Sequence, residues 1–180
     1  MNLPWLSAFC KPAFVHPCRV LPRTAIIFPG FRAKSPSRTF NPAEDDLSAL
    51  LGTFSPRSIA APYSVLLQLA GKLRLDHSVV VLSIEGQPRL SPDQRDYLWT
   101  QFGVPVFEQL LDVQGTLLAS ECEAHAGLHV AASQHGLALD ELIDGPCDCG
   151  ATVMRLPPVF AVTRSCVTGN APLTLAAHAG

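Results

Sequence analysis

Charge is scarce in this chain. Only 16% of its 180 residues are Asp, Glu, Lys or Arg, and the two signs nearly cancel to a formal net charge of -2. Such a balance leaves no electrostatic footprint for nucleic acid or for an anionic membrane surface. Long apolar runs are also missing, since none approaches the roughly 20 residues that cross a bilayer. The first 22 residues are apolar, yet they contain four prolines and two cysteines. They lack the basic start, the unbroken apolar stretch and the cleavage site of a secretory signal. A cytoplasmic location is therefore the expectation, with neither nucleic acid nor membrane as partner. There is no Gly-x-Ser-x-Gly elbow, no Walker loop and no dinucleotide fingerprint. The usual signatures of serine hydrolases and of phosphate binding are thus absent.

What is present is a globular composition, 48% hydrophobic, in a length that suits one compact domain. Residues 1–23 read as a proline-rich N-terminal arm, with Pro4, Pro12, Pro17 and Pro22 breaking any regular element. Residues 24–160 read as a single α/β domain, and 161–180 as a flexible tail. Thr24–Phe28 is a short β-branched run ended by Pro29-Gly30, and 30–42 reads as a loop. One or two helical turns fit Asp45–Leu51. Ser58–Ala61 is a candidate strand, followed by a helix opened by Pro62. Ser78–Ile84 is apolar at nearly every position, which suits a strand covered on both faces. Ser91, Pro92 and Gln94 spell an N-cap, a first-turn proline and a capping box for a helix that stops at Gly103. Val104–Phe107 reads as the next strand. Strand–helix–strand–helix–strand implies a small parallel sheet with helical crossovers. Beyond 113 the pattern changes to a short antiparallel meander, with strand candidates at 115–121, 128–132 and 137–139.

The meander carries the chemistry. Six cysteines occur, at 10, 18, 122, 147, 149 and 166. Without a secretory signal, cysteines grouped with histidines favour a metal over disulfides. Cys147 and Cys149 cannot easily bridge each other across one residue. The turn Cys147-Asp148-Cys149-Gly150 offers two thiolates toward one point, with Gly150 expected to let the backbone fold closely behind the second sulfur. A hairpin of 115–121 with 128–132 places Cys122 and one histidine beside its turn. His125 and His129 are both candidates, and His135 is a more distant one. Four protein ligands leave no open coordination position, so a zinc ion held in segment 115–156 would be structural. Cys10, His16 and Cys18 form a second, three-membered group that lacks a fourth ligand. Four carboxylates, Glu85, Glu108, Asp112 and Glu121, follow strand candidates, where open α/β sheets place their ligands. Solvated loop positions are the simpler expectation for them.

Four segments resemble the phenylacetate–CoA ligase family of adenylate-forming enzymes. They are Ala60-Ala61-Pro62-Tyr63-Ser64 with Leu66–Ala70; Ile84-Glu85-Gly86 with Leu90-Ser91-Pro92 and Phe102–Val106; Glu121-Cys122 with Gly127-Leu128-His129; and Cys147-Asp148-Cys149-Gly150 with Arg155. They span about half the chain. The resemblance implies a structural zinc on Cys122, His129, Cys147 and Cys149, favouring His129 over His125. A ligand held at the strand ends would meet Glu85, Gly86 and Glu108. Several family motifs are missing from the 180 residues. The Ser/Thr/Gly-rich phosphate loop has no counterpart. Phe107–Asp112 stands where a Tyr-Gly-x-Thr-Glu motif belongs, and no ribose-binding motif lies between His129 and Cys147. The lid domain and its lysine are absent too. The expectation is a reduced, non-catalytic zinc-binding relative with a binding or scaffold role, compact and stand-alone. The alternative is a small enzyme or ligase subunit acting on an acyl or nucleotide ligand. An exposed half-sheet would suit a homo-oligomer or a protein partner.

Overall fold

The computed structural model describes residues 13–28, 31–44, 46–131 and 142–159. The expected strand at 137–139, His135, Cys10, Cys166 and the tail from 161 onward lie outside the described residues. The elements in chain order are β1 (Thr24–Ile26), β2 (Arg38–Thr39), α1 (Leu47–Phe54), β3 (Ser58–Ala61), α2 (Tyr63–Leu69), β4 (Ser78–Ile84), α3 (Pro92–Phe102), β5 (Val106–Leu111), β6 (Leu117–Glu121), β7 (Leu128–Val130) and β8 (Arg155–Leu156). All eight strands form one mixed sheet in the order β2-β1-β3-β4-β5-β6-β7-β8. Pairing is parallel from β2 through β5 and antiparallel from β5 through β8. The expected α/β class is the observed one, and the antiparallel meander continues the parallel sheet across β5. Among the described residues no helix is long and apolar enough to cross a membrane.

Two layers bury the parallel half. On one face Leu51 of α1, Leu66 and Leu69 of α2, and Leu98 and Phe102 of α3 cover Ala25, Ile59, Val79, Val81 and Val106. On the other, Ile26, Ala60, Val80, Leu82 and Phe107 pack with Cys18 and Phe31, joined by Phe14 and Phe28. Segment 13–33 therefore provides the second cover, which explains why β4 is apolar on both sides. An isolated bridge from Ala13 to Arg32 and the bond from Gln109 Nε2 to Val15 O (2.7 Å) fix that segment in place.

Local sequence accounts for the best-defined helix. Ser91 Oγ accepts from the Gln94 amide and Gln94 Oε1 accepts from the Ser91 amide, completing the expected capping box. Gly103 closes α3 in the left-handed region at φ 68°. Three expectations are corrected. The strand expected at Val104–Phe107 instead runs Val106–Leu111, because β4 and β6 supply hydrogen-bond partners on both sides. The expected loop at 30–42 contains β2, whose two exposed residues carry no apolar signal. β8 was not expected; it exists through its pairing with β7.

Candidate metal centre

The β6–β7 hairpin pairs Ala119 with Val130, Ser120 with His129 and Glu121 with Leu128. This register puts Cys122 at the start of the turn and His129 on the returning strand. Gly127 closes the turn at φ 109°. A Cβ there would sit 2.3 Å from the Leu156 carbonyl oxygen, so only glycine lets β8 approach. β8 pairs Arg155 with His129 and brings in the preceding loop. In that loop the Cys147 amide donates to Ala151 O (2.9 Å) and the Gly150 amide to Cys147 O (2.7 Å). Gly150 adopts φ 87° with open space where a Cβ would go. Its role is the positive dihedral, not the close approach expected from the sequence.

These elements gather Cys122, His129, Cys147 and Cys149, whose ligand atoms all lie within 4.8 Å of one another. Cys122 Sγ is 3.7 Å from Cys147 Sγ and 3.3 Å from His129 Nε2. Cys149 Sγ is 3.6 Å from His129 Nε2. A tetrahedral zinc with bonds of about 2.3 Å to sulfur and about 2.0 Å to nitrogen separates two sulfurs by about 3.8 Å, and a sulfur from a nitrogen by about 3.6 Å. The donor set fits such an ion in number, chemistry and spacing. His129 Nδ1 is buried without a partner, a position where a ligating histidine normally donates to an acceptor.

The electrostatics favour the ligating forms of His129 and Cys147. Burial, then the Arg155 cation, lowers the pKa of His129 and keeps its imidazole neutral, the ligating form. The Cys149 amide bonded to its sulfur is the main cause that holds the Cys147 thiol below its usual range, and Arg155 adds to it. Burial instead pushes the Cys122 thiol up to about 11. Arg155 also ties the two ligand loops together, donating to Ala126 O (3.1 Å) and Pro146 O (3.5 Å). No spacing rule singles out this arginine; its role comes from a strand too short to see in the sequence.

The other candidates are placed differently. His125 turns away from the sulfurs, with Nδ1 3.0 Å from Glu121 Oε1 and its ring stacked on Phe107 at 4.7 Å. His16 spends both ring nitrogens internally: Nδ1 accepts from the Cys18 amide (3.1 Å), and Nε2 lies 3.2 Å from the Ser58 and Ser78 hydroxyls. Burial pushes the Cys18 thiol up to about 11. Asp112 caps its own turn by accepting from the Gln114 and Thr116 amides.

Glu85, Gly86 and Glu108 do not form one site. Glu85 is exposed on the turn after β4. Glu108 lies within β5 and is 1% exposed, because that strand runs past Phe107. Its oxygens are occupied by the Ser83 hydroxyl (2.7 Å), the Leu90 amide (2.8 Å) and Arg89 (3.1 Å). Glu121, likewise buried, accepts from Arg95 (3.0 Å) and from the Glu108 amide (2.8 Å). Neither carboxylate is the solvated loop group expected. A cavity of about 270 Å³ lies at the ends of β3 and β4, lined by Tyr63, Ser83 and Gln87; neither Glu85 nor Gly86 lines it.

Comparison with known proteins gives a likeness of fold. No protein-family model matches the chain. No curated protein matches it either. Among solved structures it is similar to a 2-hydroxyisobutyryl-CoA ligase in an open conformation, bound to 2-HIB-AMP and CoA. The TM-score is 0.52 at 16% identity, over 76% of this chain and 44% of the ligase chain. The chain thus spans less than half the length of that ligase. At this identity the shared property is the α/β fold alone.

Proposed function

We propose that the chain is a non-catalytic, zinc-binding relative of the adenylate-forming acyl-CoA ligases, akin to the phenylacetate–CoA ligase group, with a binding or scaffold role. The convergence of three sulfurs and one imidazole nitrogen at tetrahedral spacing carries this reading. Four protein donors saturate a tetrahedral ion, so the zinc holds the hairpin, the loop and β8 together and leaves no position for substrate. The non-catalytic part rests on sequence: these 180 residues contain no phosphate loop, no Thr-Glu pair after β5 and no ribose-binding motif. Adenylation requires ATP held with magnesium and a positioned carboxylate.

Metal analysis of the purified protein tests the first part. About one zinc per chain is expected, with loss of that zinc in Cys147→Ser/Cys149→Ser. Equal zinc in both proteins would remove the site. ATP–pyrophosphate exchange across a panel of carboxylic acids tests the second part. No exchange is expected, and any acid-dependent exchange would replace the scaffold reading with that of a small ligase or ligase subunit.

A further inference from the structure

A separate cavity of about 500 Å³ opens between α3, the start of β5 and the β6–β7 turn. This is a size typical of small-molecule sites. Its walls are largely apolar, with Pro105, Val106, Leu128, Pro158 and Val159 around it. Trp99 stands at its rim and is 61% exposed, a large aromatic surface left in water by a helix whose Leu98 and Phe102 are buried.

The two arginines around the cavity are already paired. Arg89 bonds to Glu108 (3.1 Å) and to Pro157 O (2.9 Å). Arg95 bonds to Glu121 (3.0 Å) and to the Val106 carbonyl. The remaining carboxylate on the wall is that of Asp96, which makes no ion pair among the described residues. Such a site has no unpaired cation to receive a carboxylate or phosphate, and Asp96 repels both.

Besides the Asp96 carboxylate and Arg89 Nε, which is buried without a partner, His125 offers a ring nitrogen to a ligand. A carboxylate only accepts hydrogen bonds, so the Glu121 contact selects the Nδ1–H tautomer of His125, in which Nε2 carries the lone pair. That nitrogen makes no hydrogen bond among the described residues. The ring is fixed from three sides: by Glu121, by the Phe107 stack at an interplanar angle of 17°, and by the His125 amide bonded to Cys122 O at 3.0 Å. Its backbone is held at φ 52°, an unfavourable region for a residue with a Cβ.

We propose that this cavity binds a small, uncharged, largely apolar molecule that packs against Trp99 and donates one hydrogen bond, from a hydroxyl or amide, to His125 Nε2. The site is distinct from the four metal ligands and does not depend on the identity of the ion.

The test is an NMR titration of the full chain, as isolated, with three matched probes: 4-propylphenol, 4-propylanisole and 4-propylbenzoate. The readouts are the His125 ring nitrogens and the Trp99 indole N–H, the latter assigned with Trp99→Phe. The phenol is expected to bind saturably and shift both signals. It should bind about tenfold more tightly than the anisole, which lacks the donor, and tighter again than the benzoate. His125→Phe retains a ring for the Phe107 stack but removes the acceptor, and should bring the phenol and the anisole to within about twofold. Equal affinity for phenol and anisole in the unmodified chain overturns the proposal. So does tightest binding by the benzoate, or a His125 signal that does not move. Should the variant fail to fold, the probe ratio and the His125 shift in the unmodified chain decide the matter alone.

Discussion

Strands β3 and β4 are buried on both sides by helices on one face and by segment 13–33 on the other. Among the described residues, strands β6, β7 and β8 share with Leu110 of β5 a cluster of four buried side chains, Leu110, Leu118, Ala119 and Leu128, with Leu156 packed beside them. The first region has enough apolar surface removed from water to hold itself together. The second buries fewer apolar side chains among the described residues and instead gathers the Cys122, His129, Cys147 and Cys149 cluster, Arg155 and the buried Glu121. One sheet thus joins, at β5, a half rich in buried apolar side chains to a half rich in polar groups that could hold a metal ion.

The sharpest way to break that contrast is to remove the cluster. In Cys147→Ser/Cys149→Ser, amide exchange in β6–β8 should accelerate by roughly 100-fold or more while β3 and β4 stay protected. Uniform acceleration would mean that the halves unfold as one unit. Next in size is Glu108→Gln at the junction. It leaves the part-buried Arg89, 20% exposed, without its counter-charge, at a cost of about 3 kcal/mol by denaturant melt. A loss below about 1 kcal/mol would show that the pair is not needed.

Gly127→Ala should cost about 2 kcal/mol or more and lower metal occupancy, since its Cβ meets the Leu156 carbonyl. Gly86→Ala, at φ 80° with open space around it, should cost only about 1 kcal/mol and leave the metal in place.

The smallest effect concerns His16, on the packed half. Burial, then His77, lowers its pKa from 6.5 to about 4. The unfolded chain therefore binds more protons between those values, and stability rises with pH across that window. The contribution is complete above pH 6.5 and is lost as pH falls toward 4. His16→Gln should flatten the melting temperature of the chain between pH 4 and 6.5 relative to the parent; an unchanged slope would place the histidine's neutral form outside the balance.

What could be read from sequence follows the same division. β3, β4 and α3 coincide with their sequence signals, because burial on both faces and a capping box write themselves into consecutive residues. The four-residue cluster was legible as a composition of ligands, but spacing alone left His125 and His129 equivalent. Their difference is a matter of hairpin register: His129 pairs with Ser120 on a strand, while His125 sits in the turn with a positive φ. Glu108 and Arg155 could not be assigned locally. Each acquires its role from partners far along the chain, Ser83 and Leu90 for the first and Ala126 for the second.

The two outermost strands of the sheet, β2 and β8, are each two residues long. Arg38 and Thr39 are both exposed, and beyond β8 the Arg155 backbone is already bridged to Ile143. A strand arriving from a neighbouring molecule would find little free main chain at either border of the described sheet. Fibre growth by edge-to-edge stacking is thereby discouraged, and Pro157 and Pro158 directly after β8 add to the guard on that border.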